Sequence, residues 1–267
     1  MGPQQISCAS DIALNEVVGF FQEVPDFPSR AGEAIRKAFD EVIDAERTGR
    51  WDLNALEKTE KTYIGTKVEI VFRAEFELPR GNKLDNLIHG NEVDTKFSLT
   101  GGWMIPSEAF GELCLLVSGN DDRGSFSVGL IRASLNYLGA GQNKDGKKGI
   151  SAEGKKQISW LVRDAPLPRN FILDLSPSIR TEILSQPHAT KRIKSLFTLV
   201  KNQIIPRSAI TAICRTQDAL KRARECKERM IRENVLVLCS TYLDERQEMV
   251  RRGFTNLKDN DWVSTDL

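Results

Sequence analysis

Asp94 and Lys96 stand two residues apart in the stretch EVDTKFS. In a strand, successive side chains point to opposite faces, so these two project from one face while Val93, Thr95 and Phe97 project from the other. Asp85 lies in the preceding run, LDNLI, and His89-Gly90-Asn91 between the runs reads as a hairpin turn that lets Asp85 face the pair. Glu69, on the element before, is a candidate fourth group. Carboxylates with a lysine meet the demands of phosphodiester hydrolysis. Carboxylate oxygens hold Mg²⁺, which takes one or two of them and keeps several waters. The cation offsets charge on the phosphate, and a lysine beside it can orient or help deprotonate the attacking water.

The spacing alone is a weak signal. At about 25% charged residues, roughly two acid-x-lysine triplets arise by chance in a chain this long. Asp145/Lys147, Glu153/Lys155 and Glu225/Lys227 are such triplets here. They sit in a glycine-rich loop or in helical runs, where a spacing of two does not bring side chains together. A surface salt bridge on an exposed sheet face is the bland alternative for Asp94 and Lys96.

The elements that would position these groups can be read from periodicity. Asp11 to Phe21 and a stretch capped by Ser29 and running to Ile43 predict two helices. KVEIVFRAEF fits either period, and its length with a Thr66 cap favours helix. After Pro79 the period becomes two. ELCLLVS and SFSVGLIRA predict two more strands, and GAGQNKDGKKG (139–149) predicts a flexible basic loop. Ser151 is expected to cap a helix reaching about Arg163. Three prolines in APLPRNFILDLSPS then interrupt every pattern. The expected division is therefore a first domain over 1–164, a proline-rich linker over 165–178, and a mostly helical second domain over 179–267. VLVLCSTY is a short strand in that second domain.

Composition bounds the alternatives. The 267 residues are 40% hydrophobic and 28% charged, ordinary for one or two globular domains. No apolar run is long enough for a membrane span, and the first residues lack a signal-peptide pattern, so a soluble cytoplasmic protein is expected. Cys8, Cys114, Cys214, Cys226 and Cys239 form an odd set without a CxxC pair, against a zinc site or a disulfide framework. The net charge of +1 conceals an asymmetry: Lys191 to Arg232 holds twelve basic residues against three acidic ones. Such a stretch suits a polyanion, or is a solvated helix face. Within it, Lys221, Arg222 and Arg224 are candidates for reaching phosphates or base edges, as are Lys144 and Lys147 in the loop.

KTEKTYIGTKVEI (58–70), IHGNEVDTKFS (88–98), GGWMIPSEAFGEL (101–113), VGLIRAS (128–134) and WLVRDAPLPRN (160–170) together resemble the NaeI family of type II restriction endonucleases. The similarity covers most of the chain after residue 30. The first half is also similar, more distantly, to the mismatch-repair nicking endonuclease fold. The resemblance implies an α/β fold, with a restriction-endonuclease-like mixed sheet flanked by helices and followed by a winged-helix-like domain. It implies a Mg²⁺-dependent PD-(D/E)xK site whose acids fall on Glu69, Asp85 and Asp94, whose lysine falls on Lys96, and to which Thr59 is added. Asp85 and Asp94 are expected to bind Mg²⁺, with Glu69 coordinating it or holding a water of its shell. It further implies cleavage of double-stranded DNA to 5′-phosphate and 3′-hydroxyl ends, with a second DNA copy bound by the C-terminal domain. The match weakens at the end of the chain, which puts that second-site activation in doubt. Reading a palindrome with two active sites calls for a homodimer. No membrane and no small-molecule substrate are expected. The alternatives are a strand-nicking enzyme and a non-cleaving DNA-binding regulator.

Overall fold

A computed structural model describes residues 11–267. The sequence reading of Cys8 lies outside them. In chain order the helices are α1 (Ile12–Glu23), α2 (Phe27–Ile43), α3 (Ala45–Thr48), α4 (Lys58–Glu75), α5 (Ala152–Lys156), α6 (Phe171–Asp174), α7 (Pro177–Leu184), α8 (Ala189–Leu199), α9 (Arg207–Cys214), α10 (Ala219–Ile231) and α11 (Leu243–Arg251). The strands are β1 (Asn86–Ile88), β2 (Asn91–Ser98), β3 (Met104–Ile105), β4 (Leu113–Asn120), β5 (Ser125–Arg132), β6 (Lys148–Gly149), β7 (Ser159–Pro166), β8 (Val235–Cys239) and β9 (Trp262–Asp266). These elements form two compact units. The first takes the chain up to Val42 and Glu57–Pro168, and the second takes Ile43–Leu56 and Arg169–Leu267.

The first unit is built on a five-stranded mixed sheet of order β1-β2-β4-β5-β7. The β2–β4 pair is parallel and the other neighbours are antiparallel. His89 and Gly90 both have positive φ, 48° and 80°, which is the two-residue turn whose twist matches a hairpin. His89 is therefore a turn residue, with its ring edge-on to Phe20 at 5.5 Å. Strand alternation divides the sheet's faces. Phe97 meets Phe39 of α2 at 5.8 Å, and Gly65 of α4 lies close enough that a Cβ there would touch Phe97. So α2 and α4 cover the Val93/Thr95/Phe97 face. The opposite face carries Asp94 and Lys96 and continues into an apolar cluster of Cys114, Leu116, Ile131, Trp103 and Ile158.

Local signals erred at several ends. The helix expected from Thr66 starts at Lys58 instead, where a reciprocal cap between Glu57 and Glu60 satisfies the free amides. The second helix begins at Phe27, so Ser29 lies inside it rather than capping it. The helix expected from Ser151 to Arg163 stops at Lys156, and Ser159–Pro166 forms an edge strand on β5 instead. The capping signal at Ser151 was sound: its side chain accepts from the Gly154 amide at 3.0 Å. Gly129 explains the strand that follows. A Cβ there would stand 2.9 Å from Trp160 Cε3, and its absence lets β7 close against β5. The basic loop is tied at its base by Gly139 N–H donating to Gly149 O at 2.7 Å, and β6 pairs with β3.

The second unit packs α8, α9 and α10 around Ile193, Leu196, Phe197, Ile213 and Met230. Trp262 of β9 stacks on Phe197 at 5.9 Å, and β9 pairs antiparallel with β8. Buried Arg192 donates to the carbonyls of Ile213 (2.6 Å), Cys214 (2.7 Å) and Gln186 (3.0 Å), which satisfies the C-terminal end of α9. Cys114, Cys214, Cys226 and Cys239 are buried free thiols. No helix among the described residues is long and apolar enough to cross a membrane.

Candidate metal and catalytic centre

The β1–β2 register fixes the centre. Asn86 pairs with Val93, so Asp85 stands opposite Asp94. Asp85 Oδ2 accepts the Thr95 amide at 2.7 Å, which locks its carboxylate at the edge of β2. The approach to Asp85 is itself clamped, because the half-buried Glu92 carboxylate accepts the amides of Asn82 (2.8 Å), Lys83 (3.2 Å) and Leu84 (2.8 Å). On β2, Lys96 Nζ donates to Asp94 Oδ1 at 2.9 Å. Asp94 is only 4% exposed. Its other oxygen, Oδ2, lies 2.8 Å from the same ammonium but makes no hydrogen bond of good geometry.

Burial pushes the Asp94 carboxyl up to about 7, against the pull of Lys96 and with the Asp85 charge adding to the push. Burial also works to lower the Lys96 ammonium, yet Asp94 and Asp85 carry it above its ordinary value. The Cys114 thiol, opposite Asp94 on the parallel neighbour β4, is raised by burial first and by the Asp94 charge second. It is a wall of the site and not a nucleophile.

Glu69 is on α4 as expected, on the side that covers the other sheet face. Arg73, one turn further on, ties it to the centre: its Nη2 donates to Glu69 Oε1 at 2.8 Å and to the Asp85 carbonyl at 3.0 Å. Its Nε donates to Asn86 Oδ1 at 3.1 Å, and Asn86 Nδ2 donates to Thr95 Oγ1 at 2.9 Å. The sequence reading missed Arg73, Asn86 and Glu92. Only Arg73 left a trace, as an i,i+4 partner of Glu69. Thr59 is not brought to the centre. It is exposed in the first turn of α4, ten residues and about 15 Å of helix axis before Glu69.

The donors that converge fit a hard divalent cation. Two carboxylates lie side by side, one with a buried oxygen short of a hydrogen bond, and Mg²⁺ takes only one or two carboxylates while keeping waters. A closed cage is absent: among the described residues no three His, Cys, Asp or Glu come together in metal-holding geometry.

The basic residues named from the sequence fall into separate places. Lys144 is exposed at the tip of the 139–149 loop, and the Lys147 amide is held by Asn143 Oδ1 at 2.8 Å. Lys221 and Arg224 are exposed on α10, Lys221 standing 3.9 Å from Glu225, and Arg222 is paired with Asp218 at 2.8 Å. Six of the twelve cations of the basic stretch are engaged within the unit: Arg192 on carbonyls, Lys194 on Glu233, Lys201 on Asp266, Lys221 on Glu225, Arg222 on Asp218 and Lys227 on Glu245. Three of those carboxylates lie beyond Arg232, outside the stretch in which the charge was counted.

A family profile described as restriction endonuclease NaeI matches residues 17–265. The type II restriction enzyme NaeI of Lentzea aerocolonigenes is 35% identical over 208 residues, covering 75% of this chain. The matched part amounts to 65% of that relative's length.

Proposed function

The chain belongs to the NaeI restriction endonuclease family, and from this we propose that it is a type II restriction endonuclease that hydrolyses both strands of a specific DNA sequence. The observation that carries the reading is the convergence of Asp85, Asp94 and Lys96 at one half-buried point of the sheet, reached by register rather than by charge density.

Asp85 and Asp94 would hold Mg²⁺, with Glu69 coordinating it or holding a water of its shell. When bound, the cation offsets the phosphate charge and makes water a stronger nucleophile. The chain's own residues supply the orientation. Asp94 fixes one hydrogen of the Lys96 ammonium and leaves the others for the attacking water and a phosphate oxygen. In-line attack then forms a P–O bond to water and breaks the bond to the 3′-oxygen, leaving a 5′-phosphate and a 3′-hydroxyl. Arg73 holds Glu69 and the Asp85 backbone in one frame, so it acts as a positioning residue. The second unit is read as a winged-helix-like DNA-binding module, in which α9 and α10 are joined by the short turn 215–218. Cutting a palindrome makes the enzyme a homodimer.

The test is cleavage of several supercoiled plasmids of known sequence by the purified chain, with Mg²⁺ or with EDTA, beside Lys96→Ala. Discrete linear fragments that need Mg²⁺ and vanish in the variant are expected. Nicked circles without linear product would replace the reading with a strand-nicking enzyme. Tight salt-sensitive binding without cleavage of any plasmid would leave a DNA-binding regulator.

A further inference from the structure

Two of the sequence blocks noted above, 101–113 and 160–170, contribute nothing to the catalytic centre, yet the first unit brings them to one place. Trp103 from the first and Trp160 from the second stand with ring centroids 6.3 Å apart and wall a cleft of about 320 Å³. Its floor includes Ser118 and Ser127, cross-strand partners on β4 and β5. In the parallel register Ser98 faces Ser118, so the floor belongs to the same sheet face as Asp94 and Lys96. The edge of the cleft nearest Lys96 is formed by Leu99 and Thr100, just past the end of β2 and three to four residues beyond Lys96, which is about 10 Å at ~3.3 Å per residue.

The charge at the rim is one-sided. Arg123, Lys155 and Arg163 line it, against the single carboxylate of Asp164. All three cations are exposed. Glu153 is taken by Lys156 at 2.9 Å rather than by Lys155, and Asp164 reaches Arg163 only at 3.8 Å while remaining 80% exposed. The Arg163 guanidinium lies over the Trp160 ring at 5.5 Å, so its fork is oriented without being neutralised. Asp121, the buried acid nearest in sequence to Arg123, is neutralised by Arg36 at 2.6 Å. The loop forming the wall is held from within: Ser98 Oγ accepts the amides of Thr100 and Gly102, and Trp103 Nε1 donates to the Val117 carbonyl at 2.8 Å.

We propose that this cleft carries the sugar-phosphate backbone of the duplex on one flank of the scissile bond, with Arg123, Lys155 and Arg163 each on a phosphate. The inference rests on the endonuclease reading and adds to it where the DNA lies. Successive base pairs rise about 3.4 Å, so a cleft whose near edge starts about 10 Å from Lys96 serves phosphates three or more base pairs away. Contacts of this kind set register and affinity and carry no base preference.

The test compares the full chain with the triple variant Arg123→Gln/Lys155→Gln/Arg163→Gln. Binding to short labelled duplexes of several sequences is titrated in EDTA over a range of salt. Each phosphate contact contributes about 0.9 to the slope of log affinity against log salt. The variant is therefore expected to be shallower by about 2.7 and weaker on every duplex alike, with Arg163→Lys keeping the wild-type slope. Near-UV circular dichroism reports whether the triple variant is folded. If it is not, the three single variants, each expected to lose about 0.9, decide the matter. Wild-type slope and affinity in the folded variants would overturn the cleft assignment while leaving the endonuclease reading intact. A wild-type chain with no salt-dependent duplex affinity and no cleavage would overturn both.

Discussion

The sheet face around Asp94 and the helices of the second unit both carry charge, and they use it in opposite ways. At Asp94 few charges are crowded into a partly buried place, where burial holds one carboxyl at about 7 and a lysine is shared between acids. On α8 to α10 many charges are spread over solvent-facing turns, and six of the twelve cations of the basic stretch are already engaged. The lesson is that charge density in a sequence marks surface, whereas a buried carboxyl converging with a second acid and a lysine marks a candidate site. A carboxylate kept where its ionised form is disfavoured costs stability, and it marks a candidate site when such partners converge on it.

The comparison breaks first at its strong end. Asp94→Asn is expected to lower cleavage by about 10²- to 10³-fold, the scale seen when one charge-stabilising group is removed from a catalytic site. Duplex binding in EDTA should stay within a few-fold of wild type, and equal losses of both in gel assays would show that Asp94 serves folding instead. Arg73→Ala should cost less, about 10- to 100-fold in kcat with KM little changed, because it acts through Glu69 and Asp85. Single-turnover kinetics with Arg73→Lys, which keeps the charge and loses the fork, should fall between the two.

Burial without chemistry gives a smaller effect. Gly129→Ala places a methyl against Ile158 and Trp160 and should cost about 1–3 kcal/mol in urea unfolding. Asp40 offers a titration of the same principle. Burial pushes its carboxyl up to about 6, against the pull of Arg36 and with the push of Asp121. The folded state therefore binds this proton more tightly than the unfolded one, so stability falls as pH rises from about 4 to about 6. Asp40→Asn should flatten that part of the profile, and an unchanged profile of urea midpoints would assign it elsewhere.

The weak end sharpens the contrast. Arg224→Ala on α10 should reduce the salt slope of duplex binding by about 0.9. Arg222→Ala, whose charge is spent on Asp218, should change it less. Equal slopes for the two variants would mean that the Asp218 pair opens on DNA.

Much of the centre was legible because the hairpin is a local object. A two-residue turn at His89-Gly90 places Asp85 opposite Asp94 by counting alone, and alternation puts Lys96 on the same face. The Ser151–Arg163 stretch was illegible for the converse reason. Its cap signal is local and correct, but whether the chain continues as helix or pairs with β5 depends on a partner strand and on the space left by Gly129. Thr59 shows a third case: it joins the set only by resemblance, and its place at the far end of α4 keeps it from the acids.

By itself, then, the sequence determined the hairpin strands, β4, β5 and β8, the turn and the pairing of two acids with a lysine, since these follow from spacing and from backbone preferences over a few residues. The tertiary structure decided which charges remain available. Glu69 is held by Arg73, which also donates to the Asp85 carbonyl, Lys227 is held by Glu245 and Lys201 by Asp266, while in the cleft Arg163 meets Asp164 only at 3.8 Å and Glu153 goes to Lys156 rather than Lys155. An ion pair forms between groups that packing brings together, and no count along the chain contains that distance.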